Sequence, residues 1–157
     1  MSTRCQIVIK DSYGDNILFY RHSDGYPEGA MPTLQKFMSW VRRGIIRNNA
    51  EQSAGWLILI GAKEYDHKWI SGKQVPKENL FEPAPDDGFG GWKCGAYEPA
   101  KGRHGDIEYI YVLDVEAKTI SCYEASWDDK ADTLPHDTDK LLFVDTADEP
   151  WKAKESE

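Results

Sequence analysis

The sequence predicts a single α+β domain, in which an antiparallel sheet of four or five strands carries two helices on one face. Three observations lead to this prediction. Short β-branched segments form hairpin patterns near both ends of the chain. Two segments between them have the apolar spacing of amphipathic helices. Hydrophobic residues make up 40% of the 157 residues, enough for one packed core. We assign this domain to residues 1–147 and expect residues 148–157 to form an acidic, frayed tail.

The first predicted hairpin lies at the start of the chain. Cys5–Lys10 is short and rich in β-branched residues, and residues 17–21 repeat this pattern. The Asp, Gly and Asn residues of the intervening segment 11–16 are typical of a tight turn. The two segments are therefore predicted to pair as antiparallel strands.

A first amphipathic helix is predicted to begin at Pro32, with Thr33 as its N-cap. Its apolar stripe consists of Leu34, Phe37, Met38, Val41 and Ile45. Three arginines lie toward its end, namely Arg42, Arg43 and Arg47. Cations at this position complement the helix dipole, and that is our interpretation of the cluster. Its alternative is a site for a phosphate or an acidic partner.

A second helix is predicted over residues 50–63, with Ala54, Leu57, Ile58, Gly61 and Ala62 on one face. The small residues Gly55 and Gly61 would allow it to pack closely against its neighbours. The apolar run 56–60 is also compatible with a buried strand. The helix-favouring residues that precede this run favour the helix.

The sequence pattern of the second half of the chain predicts a long loop followed by strands. Residues 66–105 contain repeated Pro and Gly together with several aromatic residues, so we expect a partly ordered loop, most mobile over 83–91. Residues 106–115 form the strongest strand pattern, with the odd-numbered residues 107–115 on one face. Residues 118–124 are predicted to be its hairpin partner, and residues 141–144 a short last strand.

Two short polar segments hold the candidate functional residues. One follows the second predicted strand and the other precedes the strongest strand. The candidates are His22, Asp24, Tyr26, Glu28, His104, Asp106 and Glu108. If both strands belong to one sheet, the two segments can meet at one of its edges.

Such a set of side chains can bind a divalent cation or supply a general base. The candidate metal ligands are His22, Asp24, His104 and Asp106. The structural alternative is that Asp24 forms a tight turn with Gly25 and that the second segment is ordinary loop polarity. No P-loop, Rossmann, GxSxG or HExxH motif is present, so the catalytic residues remain unassigned and a divalent cation is the one cofactor considered.

Charge and cysteine content limit the partners and the compartment. The net charge is −8, with residues 51–157 strongly acidic, which disfavours sequence-independent binding of nucleic acids. The three cysteines show no CxxC spacing and are interpreted as free thiols in a reducing compartment. Since the longest apolar run is 56–60 and no apolar signal segment follows the first residues, we expect a cytoplasmic protein with no membrane span.

Three segments resemble one protein family. They are the opening Met-Ser-Thr-Arg, the loop His22-x-Asp-Gly-Tyr-Pro-Glu-Gly29, and His104-Gly-Asp-Ile-Glu-Tyr109 before the strongest strand. Together they look like a family of small proteins of bacteria and their phages. The resemblance implies membership of that family, and it brings no activity, cofactor or partner with it.

Two functions remain open from the sequence. The favoured one is a non-enzymatic, intracellular, phage-related binding or accessory protein that meets a protein partner through its acidic surface or its aromatic-rich loop. The alternative is a small metal-dependent hydrolase that uses the His/Asp/Glu cluster at the edge of the sheet.

Overall fold

The computed structural model describes residues 3–81 and 95–152, which contain two helices and eight strands. The helices are α1 (Pro27–Arg42) and α2 (Ala50–Ala62), and a 3₁₀ turn over Lys63–Tyr65 follows α2. The strands are β1 (Cys5–Lys10), β2 (Asn16–Arg21), β3 (His67–Ile70), β4 (Lys73–Pro76), β5 (Glu98–Pro99), β6 (Tyr109–Asp114), β7 (Thr119–Glu124) and β8 (Lys140–Asp145).

Six strands form one sheet in the order β5-β2-β1-β6-β7-β8. The α+β class with two helices is confirmed, as are both predicted hairpins. The sheet is mostly antiparallel, in part as predicted, but it is mixed and has six strands where four or five were predicted. β1 and β6 pair in parallel, with Cys5 opposite Tyr109, because the first strands of the two hairpins lie side by side and run in the same direction. The short β5 adds a strand at the edge.

β3 and β4 form a separate two-stranded sheet inside the segment predicted to be irregular. Ser71 and Gly72 connect them with φ angles of 51° and 76°. Two successive residues with positive φ are typical of the type I′ turn, which joins the strands of a tight hairpin. The segment 83–91, predicted to be the most mobile, lies outside the described residues.

Both helices pack on one face of the six-stranded sheet. This face buries Cys5, Ile7 and Ile9 of β1 and Tyr111 and Leu113 of β6. The predicted stripe of α1 is confirmed for Leu34, Phe37, Met38 and Val41. Ile45 is 61% exposed because α1 ends at Arg42, before Gly44 takes a positive φ of 72°.

The predicted start of α1 at Pro32 with Thr33 as N-cap is wrong. The helix begins at Pro27, a residue that is well tolerated at the first helical position because its missing N–H has no intrahelical partner there. Thr33 is buried within the helix, and its hydroxyl donates to Glu64 Oε1 at 2.8 Å. Glu64 also pairs with the buried guanidinium of Arg21. One carboxylate therefore links β2, α1 and the 3₁₀ turn.

α2 covers residues 56–60, so the helical interpretation of this run is confirmed. Its glycines have different surroundings. A Cβ on Gly61 would lie 2.5 Å from the Tyr97 ring, whereas a Cβ on Gly55 would meet nothing within 4 Å. Ile58 was predicted to face inward, but it is 41% exposed, while Leu57 is fully buried. No described helix combines the length and the apolar character needed to cross a membrane.

The opposite face of the sheet carries a smaller apolar cluster that is covered by loops. Its buried members are Val8, Tyr20, Ile107, Ile110, Val112 and Ala125. Ile107 was predicted to share a face with Tyr109, but the alternation does not reach it because β6 begins at Tyr109. Ala100 and Leu134 pack against this cluster from the loops before β6 and before β8.

An ion pair joins the two loops that cover this face. Arg103 donates to both carboxylate oxygens of Asp139, at 2.6 and 2.9 Å, and the two side chains are 5% and 0% exposed. Asp139 also accepts from the backbone N–H groups of Ser126 and His136, at 2.8 and 2.7 Å. The carboxylate is therefore saturated with donors.

The segment after β8 lies against α1. The Gln35 side chain donates to the Glu149 carbonyl at 2.8 Å and accepts from the Trp151 N–H at 3.1 Å. Arg42 donates to the Lys118 carbonyl at 2.9 Å and pairs with Asp148 at 2.7 Å. Residues 148–152 of the predicted tail are thus attached to the domain, and residues 153–157 lie outside the described residues.

Candidate functional site

Tyr20 brings together the histidines of the two predicted segments. Its ring stacks on His104 at a centroid distance of 4.1 Å and contacts the edge of His22 at 4.6 Å. His22 Nε2 lies 3.1 Å from Glu98 Oε2 on β5. Both segments therefore lie on the same part of the sheet, where the Tyr20 ring contacts both histidines.

Asp106 lies at the outer end of the same tyrosine. It accepts a hydrogen bond from the Tyr20 hydroxyl at 2.8 Å, and the same oxygen lies 3.3 Å from Arg4 Nε. Burial, together with this hydrogen bond, raises the pKa of Tyr20, so its hydroxyl stays a donor. Asp106 therefore orients a neutral tyrosine.

The side chain of Gln6 holds the segment that contains His104. This fully buried side chain donates to the Gly102 carbonyl at 2.9 Å and accepts from the His104 N–H at 2.8 Å. These two bonds attach the segment around His104 to the start of β1. The position of His104 is thus fixed by the fold.

Asp24 and Tyr26 belong to a constrained turn. Asp24 is exposed with φ 57°, and its carboxylate lies 3.4 Å from the Tyr26 hydroxyl. The Gly25 carbonyl accepts a hydrogen bond from the buried Tyr111 hydroxyl at 2.7 Å. A Cβ on Gly25 would lie 2.8 Å from the Cys5 side chain, so only glycine fits at this point. These contacts support the structural interpretation of Asp24 and Gly25.

A metal centre is not assembled from the predicted ligands. Within residues 3–81 and 95–152, no three His, Cys, Asp or Glu side chains are placed so that they could hold a metal ion together. Cys5 and Cys122 are buried free thiols, and burial raises the pKa of both to about 12. Both therefore stay neutral near pH 7 and fill the core.

Glu28 and Glu108, the other two candidates, lie near Tyr109. A small open groove of about 140 Å³ occurs there, between the start of β6 and the end of β7. We call it the Tyr109 groove; its lining residues are Glu108, Tyr109, Glu124, Ala125 and Trp127. Glu124 is directly opposite Tyr109 in the strand pairing, and Trp127 is 76% exposed.

The Tyr109 groove is strongly acidic. Burial raises the pKa of Tyr109, and the neighbouring Cys122 thiol and the carboxylates of Glu108, Glu124 and Glu28 raise it further. Glu28 comes from the first turn of α1, Glu108 directly precedes β6, and Glu124 ends β7. None of the three forms an ion pair within the part of the chain that the structure describes. The groove therefore combines exposed aromatic surface with carboxylates that have no described ion-pair partner.

Sequence reasoning named Glu28 and Glu108 but grouped them with the histidines. It missed Tyr109, Glu124 and Trp127. The hairpin pattern contained a signal for two of them, because pairing residues 109–114 with 119–124 places Tyr109 opposite Glu124. For Trp127, which follows the strand in a loop, the pattern contained no such signal.

Comparisons of this chain with protein-family models, with curated proteins and with solved structures found no match. The resemblance of the three sequence segments to a family of bacterial and phage proteins stays a prediction.

Proposed function

We propose that this protein is a non-enzymatic binding protein that recognises a cationic side chain of a protein partner through the Tyr109 groove. The observation that carries this proposal is that Glu108 and Glu124 line one groove with Tyr109 and the exposed Trp127, with no cation among their described ion-pair partners. Adjacent carboxylates repel one another, and an incoming positive charge relieves that repulsion.

The chemistry of the groove favours an arginine. A guanidinium donates up to five hydrogen bonds in one plane and can meet two carboxylates at once. Its face also stacks on aromatic rings, and Trp127 offers an exposed ring beside the carboxylates. Lysine is the weaker fit because its ammonium is a strongly hydrated point charge.

The size of the groove favours a protein partner. Pockets for small-molecule ligands measure roughly 300 to 1,000 Å³ and enclose most of the ligand. The Tyr109 groove has about 140 Å³ and is open to solvent, which suits the end of one side chain presented by a larger surface. The surrounding acidic surface would attract a basic partner from a distance.

The proposed location is intracellular. Cys5 and Cys122 are free thiols within the described core, which is the expected state in a reducing compartment. We also propose that the protein is phage-related, on the resemblance of its three sequence segments, and this names no partner.

Fluorescence anisotropy with two labelled nonapeptides tests the binding function. The peptides are identical except that one has a central arginine and the other has citrulline, its neutral isostere. We expect the arginine peptide to bind about tenfold more tightly, since hydrogen bonds to charged groups contribute roughly 1.5–3 kcal/mol. Raising the salt concentration should weaken only the arginine peptide, because salt screens charge interactions.

Matched variants locate the binding. Glu108→Gln and Glu124→Gln should each weaken the arginine peptide, and Trp127→Ala should weaken it through the lost stacking. Glu78→Gln changes an exposed carboxylate outside the groove and serves as the control. Equal affinity for both peptides, or variants with unchanged affinity, would refute the proposal.

Metal titration separates this function from the hydrolase alternative. A metal ion that binds the folded state raises Tm. An increase in Tm with Mn²⁺ or Zn²⁺ that disappears in both His22→Ala and His104→Ala would favour the hydrolase. We expect the binding function to leave Tm unchanged by either ion.

A further inference from the structure

The outer surface of α2 carries an ordered stripe. Four exposed residues follow one another at intervals of four: Glu51, Gly55 and Leu59 in α2, and Lys63 as the first residue of the 3₁₀ turn that continues it. Residues spaced by four form one continuous ridge of a helix. Trp56 and Ile58 flank the ridge, and Trp56, Ile58 and Leu59 are 45%, 41% and 44% exposed. An apolar centre thus lies between an acidic start and a basic end.

Gly55 has no evident role within its own chain. Glycine in the interior of a helix destabilises it relative to alanine. Gly61 is explained by the Tyr97 ring, which leaves no room for a Cβ, but a Cβ on Gly55 would meet nothing within 4 Å. The effect of Gly55 is to leave bare backbone at the centre of an exposed apolar surface, where another backbone or a large side chain could approach closely.

The ridge is complementary to a reversed copy of itself. A two-fold axis beside the level of Leu57 would place Glu51 opposite Lys63 of the second copy. The same axis would place Gly55 opposite Leu59 and Trp56 opposite Ile58. The carboxylate of Glu51 would thus face the ammonium of Lys63, and Gly55 would leave room for the Leu59 side chain. An interface between identical copies with two-fold symmetry requires this kind of self-complementarity.

We propose that two copies of this chain associate through antiparallel packing of their α2 helices, with Leu59 of each copy seated over Gly55 of the other. Trp40 extends the contact surface, since its ring lies 6.1 Å from that of Trp56. The contact would involve one short helix and its immediate neighbours, which is typical of the smaller, transient interfaces. We therefore expect a weak, reversible dimer.

Sedimentation velocity of the full chain at several concentrations tests this interface. Wild type should shift from monomer to dimer as concentration rises. Leu59→Lys should raise the Kd by about a hundredfold or more, because it places two cations in the apolar centre. Leu141→Lys changes a residue of similar exposure, 49%, on the edge strand β8 and should leave the Kd unchanged. A monomer at all concentrations, or a dimer lost with Leu141→Lys and retained with Leu59→Lys, would overturn the proposal.

Charge reversal tests the antiparallel direction. Glu51→Lys and Lys63→Glu should each raise the Kd about tenfold, because each creates two like-charge pairs per dimer. The double variant restores both attractions and should return the Kd to within about twofold of wild type. Failure of the double variant to recover the dimer would overturn the antiparallel arrangement. Circular dichroism and the Tm of the monomer confirm that each variant is folded.

Discussion

The two faces of the six-stranded sheet are closed in different ways. On one face, α1 and α2 cover the strands with a large apolar cluster, and the group formed by Arg21, Thr33 and Glu64 is a polar exception beside it. On the other face, loops cover a smaller apolar cluster, and polar groups hold those loops in place. Gln6 attaches the segment around His104, and Arg103 with Asp139 joins the loop before β6 to the loop before β8.

The difference follows from what each covering element can bury. A helix offers a continuous apolar stripe, so burial of its side chains is enough to hold it. A loop offers few apolar side chains and many backbone polar groups, which must find partners when they leave water. The saturated carboxylate of Asp139 meets that requirement for several groups at once. We therefore expect single polar residues to determine the stability of the loop-covered face, and apolar packing to determine that of the helix-covered face.

Removal of the Asp139 charge should have the largest effect. Asp139→Asn leaves the buried Arg103 guanidinium without its counter-ion, and breaking a buried pair costs about 3–5 kcal/mol of unfolding free energy. Urea unfolding measures this loss. Asp137→Asn, at a neighbouring exposed carboxylate, should change stability by less than about 0.5 kcal/mol. A loss below about 1 kcal/mol in Asp139→Asn would mean that the loops are held by other contacts.

Acid should weaken the same face selectively. The hydrogen bonds and charge of Arg103, with the backbone donors, hold the pKa of Asp139 at about 2 against burial, below its ordinary 3.8. Because the unfolded state takes up the proton at higher pH than the folded state, this stabilisation is complete above about pH 4 and is lost as pH falls toward 2. The loss amounts to about 2 kcal/mol.

The measurement is the unfolding free energy at pH 5 and at pH 2 for wild type and Asp139→Asn. The other carboxylates titrate in both proteins, so the difference between the two proteins isolates Asp139. This difference should shrink at pH 2. A difference that does not depend on pH would contradict the assignment.

The two glycines of α2 test the helix-covered face. Gly61→Ala forces a Cβ into the Tyr97 ring and should cost about 1–2 kcal/mol through overpacking. In Gly55→Ala the new Cβ meets open space, so the higher helix propensity of alanine should raise the free energy of unfolding by roughly 0.5–1 kcal/mol. Thermal unfolding at low protein concentration, where the chain is monomeric, measures both changes. Equal changes in the free energy of unfolding for the two substitutions would show that the contact of Gly61 with the Tyr97 ring does not affect the stability of this face.

Local patterns predicted most elements of the fold. The alternation of β1 and β2, the apolar stripe of α1 and the β6–β7 hairpin depend on neighbours within one segment, which the sequence displays directly. The start of α1 was missed because Gly29, close to Gly25 and Pro27, gave the segment the composition of a turn. The β3–β4 hairpin was overlooked among many Gly and Pro residues, although Ser71-Gly72 was a usable turn signal.

Contacts between distant segments could not be predicted. Arg103 and Asp139 are single residues in loops, and no periodicity connects them. The parallel pairing of β1 with β6 depends on how two complete hairpins lie side by side. For the candidate site, the sequence allowed His22 and His104 to meet at one edge of the sheet, and whether they do could not be decided from it. The separate grouping of Glu28 with Glu108 around Tyr109 required the position of α1 above the sheet.

The pairing of Cys5 with Tyr109 also constrains how the chain is made. At roughly 5–20 residues per second, a ribosome needs several seconds or more to extend the nascent polypeptide from β1 to β6. During that interval one side of β1 has unsatisfied backbone donors and acceptors, a template for unwanted pairing between nascent chains. Folding intermediates of this protein should therefore be most prone to aggregate before translation reaches β6.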